Sequence, residues 1–183
     1  NYRGMIFLSE VTALPRSDDK VSRAIEILEN WDRGTDKDNR GAALGVCVLA
    51  AEWQAESGGT NNPDAQVILD NCIDQTLEIG GRLDPRWGDV NRHGRDDTHW
   101  PVAGGPDTLR AIYSRRLDGD DHLTAVAGDG LYYFIRWTPD GEQKLLGTHQ
   151  YGNDMTNPES PHYLDQAKDY TNEILHEPLY TTD

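Results

Sequence analysis

The chain lacks any long apolar run. None of its stretches approaches the ~20 consecutive apolar residues that a membrane-spanning helix needs. Positive charge is also scarce, because 17 Lys and Arg residues face 32 Asp and Glu residues, for a net charge of −15. Such a balance disfavours nucleic acid and anionic membrane as partners. The composition indicates a soluble protein, of a kind that also suits salty surroundings.

Cysteine is nearly absent, since only Cys47 and Cys72 occur in the 183 residues. Both fall within predicted helices that a loop connects. Buried free thiols are the favoured interpretation, because free cysteine is among the most buried residue types. A single disulfide is the alternative if the protein is exported. Antiparallel packing of the two helices predicts, in either case, that the two residues lie close together.

The first 81 residues are predicted to be helical. Apolar residues recur at helical spacing through four segments, of which the second can be capped by Ser17 or Asp18 and the fourth begins near Pro63. Short strands and loops are predicted after Gly81. We therefore divide the chain into a helical segment, 1–81, and a sheet-forming segment with a C-terminal helix, 82–183, which together form one α+β domain.

A β-hairpin around which the other elements are organised is predicted at 128–152. Its first strand, Leu131 to Trp137, is apolar on both faces, and a turn with Pro139 and Gly141 leads into a more polar second strand. Because both faces need cover, we expect a layered structure in which Tyr133 and Ile135 are largely buried. A last helix is predicted to begin at a Ser160 cap.

Side chains that could bind a metal or transfer a proton are most concentrated in the stretch 89–99, which holds three carboxylates and two histidines. A metal site could use His93, His99 and either Asp96 or Asp97. Their spacing matches no strong ligand signature. A solvated, charged loop is therefore the favoured interpretation, and no metal is predicted.

No nucleophile is evident from the residues alone. Ser114 and Ser160 both lack the G-x-S-x-G setting of a nucleophile elbow. Asp129 lies between two glycines and is better explained as a turn residue than as a catalytic acid. The segment 104–106, Gly-Gly-Pro, lacks the strand, helix and lysine of a phosphate-binding loop, so no cofactor is predicted.

Five motifs in order carry a family resemblance. They are LDPRWGDVN at 83–91, WPVAGGPD at 100–107, GDG with its aromatic strand from 128, HQYGN at 149–153, and SPHYLDQ at 160–166, followed by EPL at 177–179. Together they resemble the C-terminal part of the large chain of the penicillin acylase family. That family also includes the acyl-homoserine-lactone acylases, and its members are N-terminal-nucleophile amidohydrolases.

The resemblance implies a four-layer α-β-β-α fold built from two chains that are cut from one precursor. It implies an N-terminal serine that acts as nucleophile, with its own α-amino group as base, beside an oxyanion hole of a backbone N–H and an asparagine. It further implies hydrolysis of an N-acylated small molecule and a periplasmic or secreted location.

The chain departs from this pattern because it starts with Asn1 and not with serine. The family's catalytic asparagine also lies upstream of the matching stretch, so no catalytic residue is carried over. The matching residues are instead expected to turn the backbone and cap helices around the sheet. They are Trp87, Gly88, Gly104, Gly105, Gly128, Asp129, Tyr151, Gly152, Ser160, Pro161 and Gln166.

Two hypotheses from different classes follow. In the first, the chain is the C-terminal portion of an amidohydrolase and is inactive alone, with the remaining chains of the precursor as partners. In the second, it is a stand-alone, non-catalytic domain whose aromatic hairpin binds a small molecule or a protein.

Overall fold

The computed structural model describes residues 5–61, 63–154 and 156–177. Helices come first, then strands, then one short helix, which is the predicted α+β order. The helices are α1 (Met5–Thr12), α2 (Asp19–Asn30), α3 (Ala42–Gly58), α4 (Ala65–Gly80), α5 (Trp87–Val90) and α6 (Ala167–Thr171). The strands are β1 (Asn91–Arg95), β2 (Thr98–Pro101), β3 (Ile112–Arg116), β4 (Leu123–Gly128), β5 (Leu131–Trp137) and β6 (Gln143–His149). None of these helices is long and apolar enough to cross a bilayer within the residues described.

The fold divides into two compact units, each built from two separate stretches of the chain. The first comprises the described residues of Asn1–His93 and Pro101–Ala127, and the second those of Gly94–Trp100 and Gly128–Asp183. This division follows three-dimensional contacts, whereas the predicted boundary after Gly81 follows secondary-structure content. The predicted boundary stays a prediction.

The first unit contains the main hydrophobic core. Helices α1 to α4 pack against one another, and α5 packs against α3 and α4. The most completely buried large side chains of this core are Phe7, Val11, Ile25, Leu28, Leu44, Val48, Leu69, Trp87 and Val90. Helix α2 begins where Asp18 accepts a hydrogen bond from the Val21 N–H, at 2.8 Å, as the cap prediction required. Helix α4 is capped by Asp64 and ends at Gly81, whose φ of +66° is left-handed.

A disulfide joins α3 to α4. Cys47 and Cys72 have Cα atoms 5.7 Å apart, and their sulfur atoms are bonded. The prediction that they lie close together is confirmed, and the interpretation as free thiols is wrong. The two helices pack against each other, and this brings the two residues within bonding distance.

Strands form two sheets. The order in the larger sheet is β2-β1-β4-β3, and β1 runs parallel to β4 with Asn91 opposite Leu123. In the second unit, β5 and β6 form the predicted antiparallel hairpin, with Leu131 opposite His149 and Trp137 opposite Gln143. Its turn closes where the Gly141 N–H donates to the Thr138 carbonyl at 2.9 Å.

The burial predicted for the hairpin is wrong. Tyr133 is 61 % exposed and Ile135 is 48 % exposed, and on the opposite face Phe134 is 62 % exposed. Cover is confined to the end of the hairpin where Tyr132 stacks on Tyr170 of α6, with ring centroids 5.6 Å apart, and where Gly147 bonds to His176. The described elements of this unit therefore cover one end of the hairpin and leave the rest of both faces in solvent.

The predicted helix from Ser160 is also wrong in extent. Residues 158–166 form turns, and only Ala167–Thr171 is helical. The turns are held by local bonds, among them the Ser160 Oγ, which accepts the His162 N–H at 3.2 Å. Turn formation by Ser160 thus replaces the helix cap that the sequence pattern suggested.

Candidate functional site

A pocket of about 510 Å³ opens on one face of the hairpin in the second unit. One wall is apolar and comes from β5 and β6, and the other is polar and comes from the segment after β6. The lining residues are Leu131, Tyr133, Leu145, Gly147, Thr148, His149, Asn153, Gln166, His176 and Glu177. An apolar wall facing a few polar groups is the usual form of a small-molecule site.

Gly147 lets the ring of Tyr133 lie flat on the pocket face. A Cβ at position 147 would meet Tyr133 Cδ1 at 3.0 Å and the Tyr132 carbonyl at 3.1 Å. The same residue also holds the polar wall, because its N–H and C=O exchange hydrogen bonds with His176 at 2.8 and 2.9 Å. Gly147 is thus the point where the two walls of the pocket meet.

The polar groups of the pocket hold the backbone in place. Gln166 Oε1 accepts the His149 N–H at 3.2 Å, and its Nε2 donates to Asn153 Oδ1 at 3.4 Å. His149 Nδ1 accepts the Tyr151 N–H at 3.3 Å, so the neutral imidazole carries its proton on Nε2. His176 Nε2 contacts Asp169 Oδ2 at 2.7 Å. These groups can offer hydrogen bonds to a ligand, but they include no nucleophile with a base beside it.

A second, smaller cleft of about 290 Å³ lies in the first unit. It is lined by charged side chains, including Arg23, Arg40 and Asp84. The hydrogen bond from Arg82, with the charges of Arg23 and Arg40, holds the pKa of the Asp84 carboxyl below its ordinary value of 3.8. Because its charges already pair with one another, this cleft is a structural ion-pair network.

The motif residues of the first unit are architectural, as expected. The indole Nε1 of Trp87 donates to the Gly104 carbonyl at 2.8 Å, and the Trp87 N–H donates to the Asn39 carbonyl at 2.8 Å. The Gly88 N–H donates to the Lys37 carbonyl at 2.8 Å. Gly104 has φ +103°, and a Cβ there would collide with the Arg110 carbonyl. This motif therefore fixes the loop between α2 and α3 onto the start of the sheet.

The motif residues of the second unit have the same role. A Cβ at Gly152 would collide with the His162 carbonyl, so only glycine fits there. The Gln166 N–H donates to the Tyr151 carbonyl at 2.8 Å. The Tyr170 hydroxyl donates to the Asp129 carbonyl, and this bond ties α6 to the residues that enter β5. Asp129 acts here through its backbone, as a turn residue does.

The stretch 89–99 is not the solvated loop that was predicted. It forms the end of α5, strand β1 and the turn into β2, and both Asn91 and His93 are buried. Asp96 lies at the tip of the turn with φ +53°, where it accepts a hydrogen bond from the Tyr163 hydroxyl at 2.8 Å. Arg95 stacks on Tyr151, with its Cζ 4.2 Å from the ring centroid. His93 is buried because side chains on β1 point alternately to the two faces of the strand. The many charged residues of this stretch favoured a loop, so the strand was not predicted.

A metal site at His93, His99 and Asp96 or Asp97 finds no support in the structure. Within residues 5–61, 63–154 and 156–177, no group of three or more His, Cys, Asp or Glu side chains is placed to hold a metal ion.

The two serines considered as nucleophiles also lack catalytic surroundings. The Ser114 hydroxyl is buried, and among the described residues it has no hydrogen-bond partner. The Ser160 hydroxyl bonds to Asp154, and this hydrogen bond holds the pKa of that carboxyl below its ordinary value. A general base within hydrogen-bond reach is what a serine nucleophile requires. Ser114 has none among the described residues, and the Asp154 carboxylate beside Ser160 is a weak base because its pKa is lowered.

The pocket on the hairpin was not predicted. In the sequence, the segment 149–153 stood out only as part of a family motif. The walls of the pocket come from residues as far apart in the chain as Leu131 and Glu177, which are 46 positions apart. The run of apolar and aromatic residues along β5 was the one available signal, and it was interpreted as core.

A family model described as penicillin amidase matches residues 3–183. No curated protein matches the sequence.

Proposed function

Because the chain belongs to the penicillin amidase family, whose members are acylase-like hydrolases, we propose that it is the C-terminal portion of an enzyme that hydrolyses N-acyl amides. In this proposal the chain supplies scaffold and not the nucleophile. Its partners are the remaining chains of the same processed precursor and an N-acylated small-molecule substrate.

The exposed hairpin is the observation that carries this proposal. Tyr133, Phe134 and Trp137 are each more than 60 % exposed, and they lie on both faces of β5. Soluble proteins seldom expose contiguous apolar patches of this kind unless another surface covers them. Among the described residues β5 also pairs with β6 alone, so its other edge is open to a further strand. Strands of the remaining polypeptide would cover both faces and this edge.

The surroundings of Ser114 and Ser160 support the scaffold role, because Ser114 has no base within reach among the described residues and the carboxylate beside Ser160 is a weak base. Hydrolysis of an amide needs a nucleophile, a base within reach and donors aimed at the developing oxyanion. The proposal assigns the first two to an N-terminal serine of the large chain, through the family resemblance, and assigns none of the three to residues 1–183.

A periplasmic or secreted location is part of the proposal. The Cys47–Cys72 disulfide supports it, because disulfides persist in oxidising compartments and are rare in the cytosol. The acidic surface agrees with partners that are neither nucleic acid nor anionic membrane.

A stand-alone, non-catalytic binding domain is the second candidate. The pocket of about 510 Å³ between the hairpin and the Gln166–His176 wall favours it, because such a pocket could take a small molecule without any chemistry. The exposed aromatic residues would then serve as a contact surface for that ligand.

Intact mass of the material purified from its native source separates the two candidates. Extra polypeptides, one of them beginning with serine, support the acylase. A lone species of 20.5 kDa supports the binding domain. A second experiment measures hydrolysis, as the release of amine from a chromogenic phenylacetyl amide and from a long-chain acyl-homoserine lactone. We expect turnover from the assembled material and none from the 183-residue chain. Turnover by the chain alone that disappears on changing one of its own residues would contradict the scaffold role.

A hairpin variant tests the docking step directly. Phe134→Asp places a charge in the exposed apolar face and should abolish co-purification of the other polypeptides. Val67→Asp is the matched control, since Val67 is an apolar residue on α4 whose side chain is also exposed, at 54 %. Retained co-purification with Phe134→Asp, or equal loss with Val67→Asp, would argue against the hairpin as the docking surface.

A further inference from the structure

The acidic residues lie on the surface of the fold. The chain carries 32 Asp and Glu residues against 17 Lys and Arg residues. Among the acidic side chains that the structure describes, Glu52 alone is buried, and the others are partly or fully exposed. The negative charge is present in both compact units, so each must fold against the repulsion of its own surface.

Ion pairs offset little of this repulsion. Asp84, which pairs with Arg23 and Arg82, is the partly buried exception, with its side chain 20 % exposed. Other pairs between Arg and a carboxylate lie in solvent: in Arg16–Glu29 the side chains are 45 % and 44 % exposed, and in Arg23–Glu26 they are 52 % and 54 % exposed. Exposed pairs of this kind contribute little to stability. The excess of carboxylates remains even if every cation is paired, because the net charge is −15.

The loop between β3 and β4 is a local example of this repulsion between carboxylates. Asp118, Asp120 and Asp121 fall within four consecutive positions, and the side chain of Asp121 is fully exposed. Asp120 accepts a hydrogen bond from the Thr124 hydroxyl at 2.6 Å, and Asp121 Oδ1 lies 2.8 Å from Nδ1 of His122, so one hydroxyl and one imidazole contact this group of carboxylates. Charges this close repel strongly at low ionic strength, where the screening length is ~10 Å, and much less near 1 M salt, where it is ~3 Å.

From this distribution we infer that the chain is adapted to a medium of high ionic strength. Its folded state reaches full stability only when dissolved monovalent cations screen the acidic surface. The cations act as a diffuse atmosphere over the whole surface and not at a single site. This inference concerns stability and is independent of the proposed activity, because it is tested by unfolding and not by hydrolysis.

Thermal unfolding of the 183-residue chain tests the inference. Between about 0.1 M and about 1 M KCl, the Tm should rise by ~10 °C or more, and NaCl should act equally. A neutral osmolyte at matched osmolality should give a much smaller rise. A Tm that does not change with salt, or that rises equally in the neutral osmolyte, would overturn the inference.

A charge variant gives the second test. Glu10→Gln, Asp74→Asn, Asp118→Asn and Glu142→Gln together remove four negative charges at exposed positions. The Tm at low salt should rise, and the salt-dependent increase should fall to roughly half, because repulsion grows with the square of the charge. The control exchanges exposed uncharged residues only: Gln54→Asn, Asn61→Gln, Asn71→Gln and Gln143→Asn. If the charge variant keeps the salt response of the parent, the inference is wrong.

Discussion

The ring of Trp31 lies directly against the backbone of Gly45. A Cβ at Gly45 would overlap the Cε3 and Cζ3 atoms of that ring, and a Cβ at Gly41 would meet its Cδ1 at 2.6 Å. The indole Nε1 donates to the Gly34 carbonyl at 2.9 Å, so the ring cannot turn away without losing this bond. Two glycines one helical turn apart therefore make the groove that buries Trp31 between α2 and α3.

Gly45→Ala should be strongly destabilising. We expect a loss of ~1–3 kcal/mol or more in the free energy of unfolding, the range for overpacking a tight core. Gly58→Ala in the same helix is the control, because the nearest atoms to its Cβ are 4.0 Å away. It should be neutral or stabilising by up to ~1 kcal/mol, since alanine is the better helix former. Equal effects in denaturant titrations would show that the Trp31 contact is unimportant.

Removal of the disulfide should lower stability by ~2–4 kcal/mol, since the bond closes a loop of 25 residues between two packed helices. The double variant Cys47→Ser, Cys72→Ser and the parent in reductant should unfold at similar denaturant concentrations, and reductant should not affect the variant. Thiol counting on the denatured, non-reduced parent should find no free thiol. Two free thiols there would contradict the bond.

Truncation within the hairpin should cost little in this chain. Ile135 is 48 % exposed, so Ile135→Ala should lower the free energy of unfolding by less than ~1 kcal/mol. Leu69→Ala is the matched core truncation, because Leu69 is fully buried, and it should cost ~2–5 kcal/mol. In the assembled enzyme that we propose, Ile135→Ala should become clearly destabilising, because the partner strands would bury it. A cost at Ile135 that matches the cost at Leu69 in the lone chain would mean that the hairpin is already covered.

Asp84 should contribute stability that depends on pH. Its pKa is lowered in the folded state, chiefly by the hydrogen bond from Arg82, so its contribution is complete above the ordinary pKa of 3.8. That contribution is lost as the pH falls below this value, through the lower pKa of the folded state. Asp84→Asn should therefore cost up to ~1 kcal/mol at neutral pH, and the difference from the parent should shrink below pH ~4.

Asp74→Asn provides the control for this pH series, since Asp74 is exposed on α4. Unfolding of the parent and both variants is compared at each pH, so that the general loss of surface charge cancels between them. A difference at Asp84 that stays constant down to the lowest pH would show that the ion pair does not cause it.

Local structure was predictable where a residue acts on its immediate neighbours. Asp18 caps α2 because its carboxylate reaches the Val21 N–H three residues on. Gly81 ends α4 because glycine tolerates a left-handed φ. The strands β5 and β6 begin and end close to the predicted residues, since a Thr-Pro-Asp-Gly turn joins two stretches of strand composition. The family, too, was recognisable from the order of motifs in the sequence.

The predictions of local structure failed where one stretch of sequence carried two conflicting signals. Ser160 was predicted to cap a helix, but its hydroxyl and the following proline make a turn that is equally local. The stretch 89–99 was interpreted by its charges, although the alternation that buries Asn91 and His93 was also present in it.

Sequence alone therefore determined the α+β order, the Asp18 cap of α2, the hairpin and the family, because each depends on residues close in the chain or on their order. The tertiary structure decided which apolar faces are covered. Tyr133 and Phe134 have the composition of core residues, but burial is a property of what packs against a surface. The described elements cover only the Tyr132 end of the hairpin, through α6. The pairing of Cys47 with Cys72 was likewise decided by helix packing, because a bond between distant residues requires that the fold bring their Cα atoms within reach.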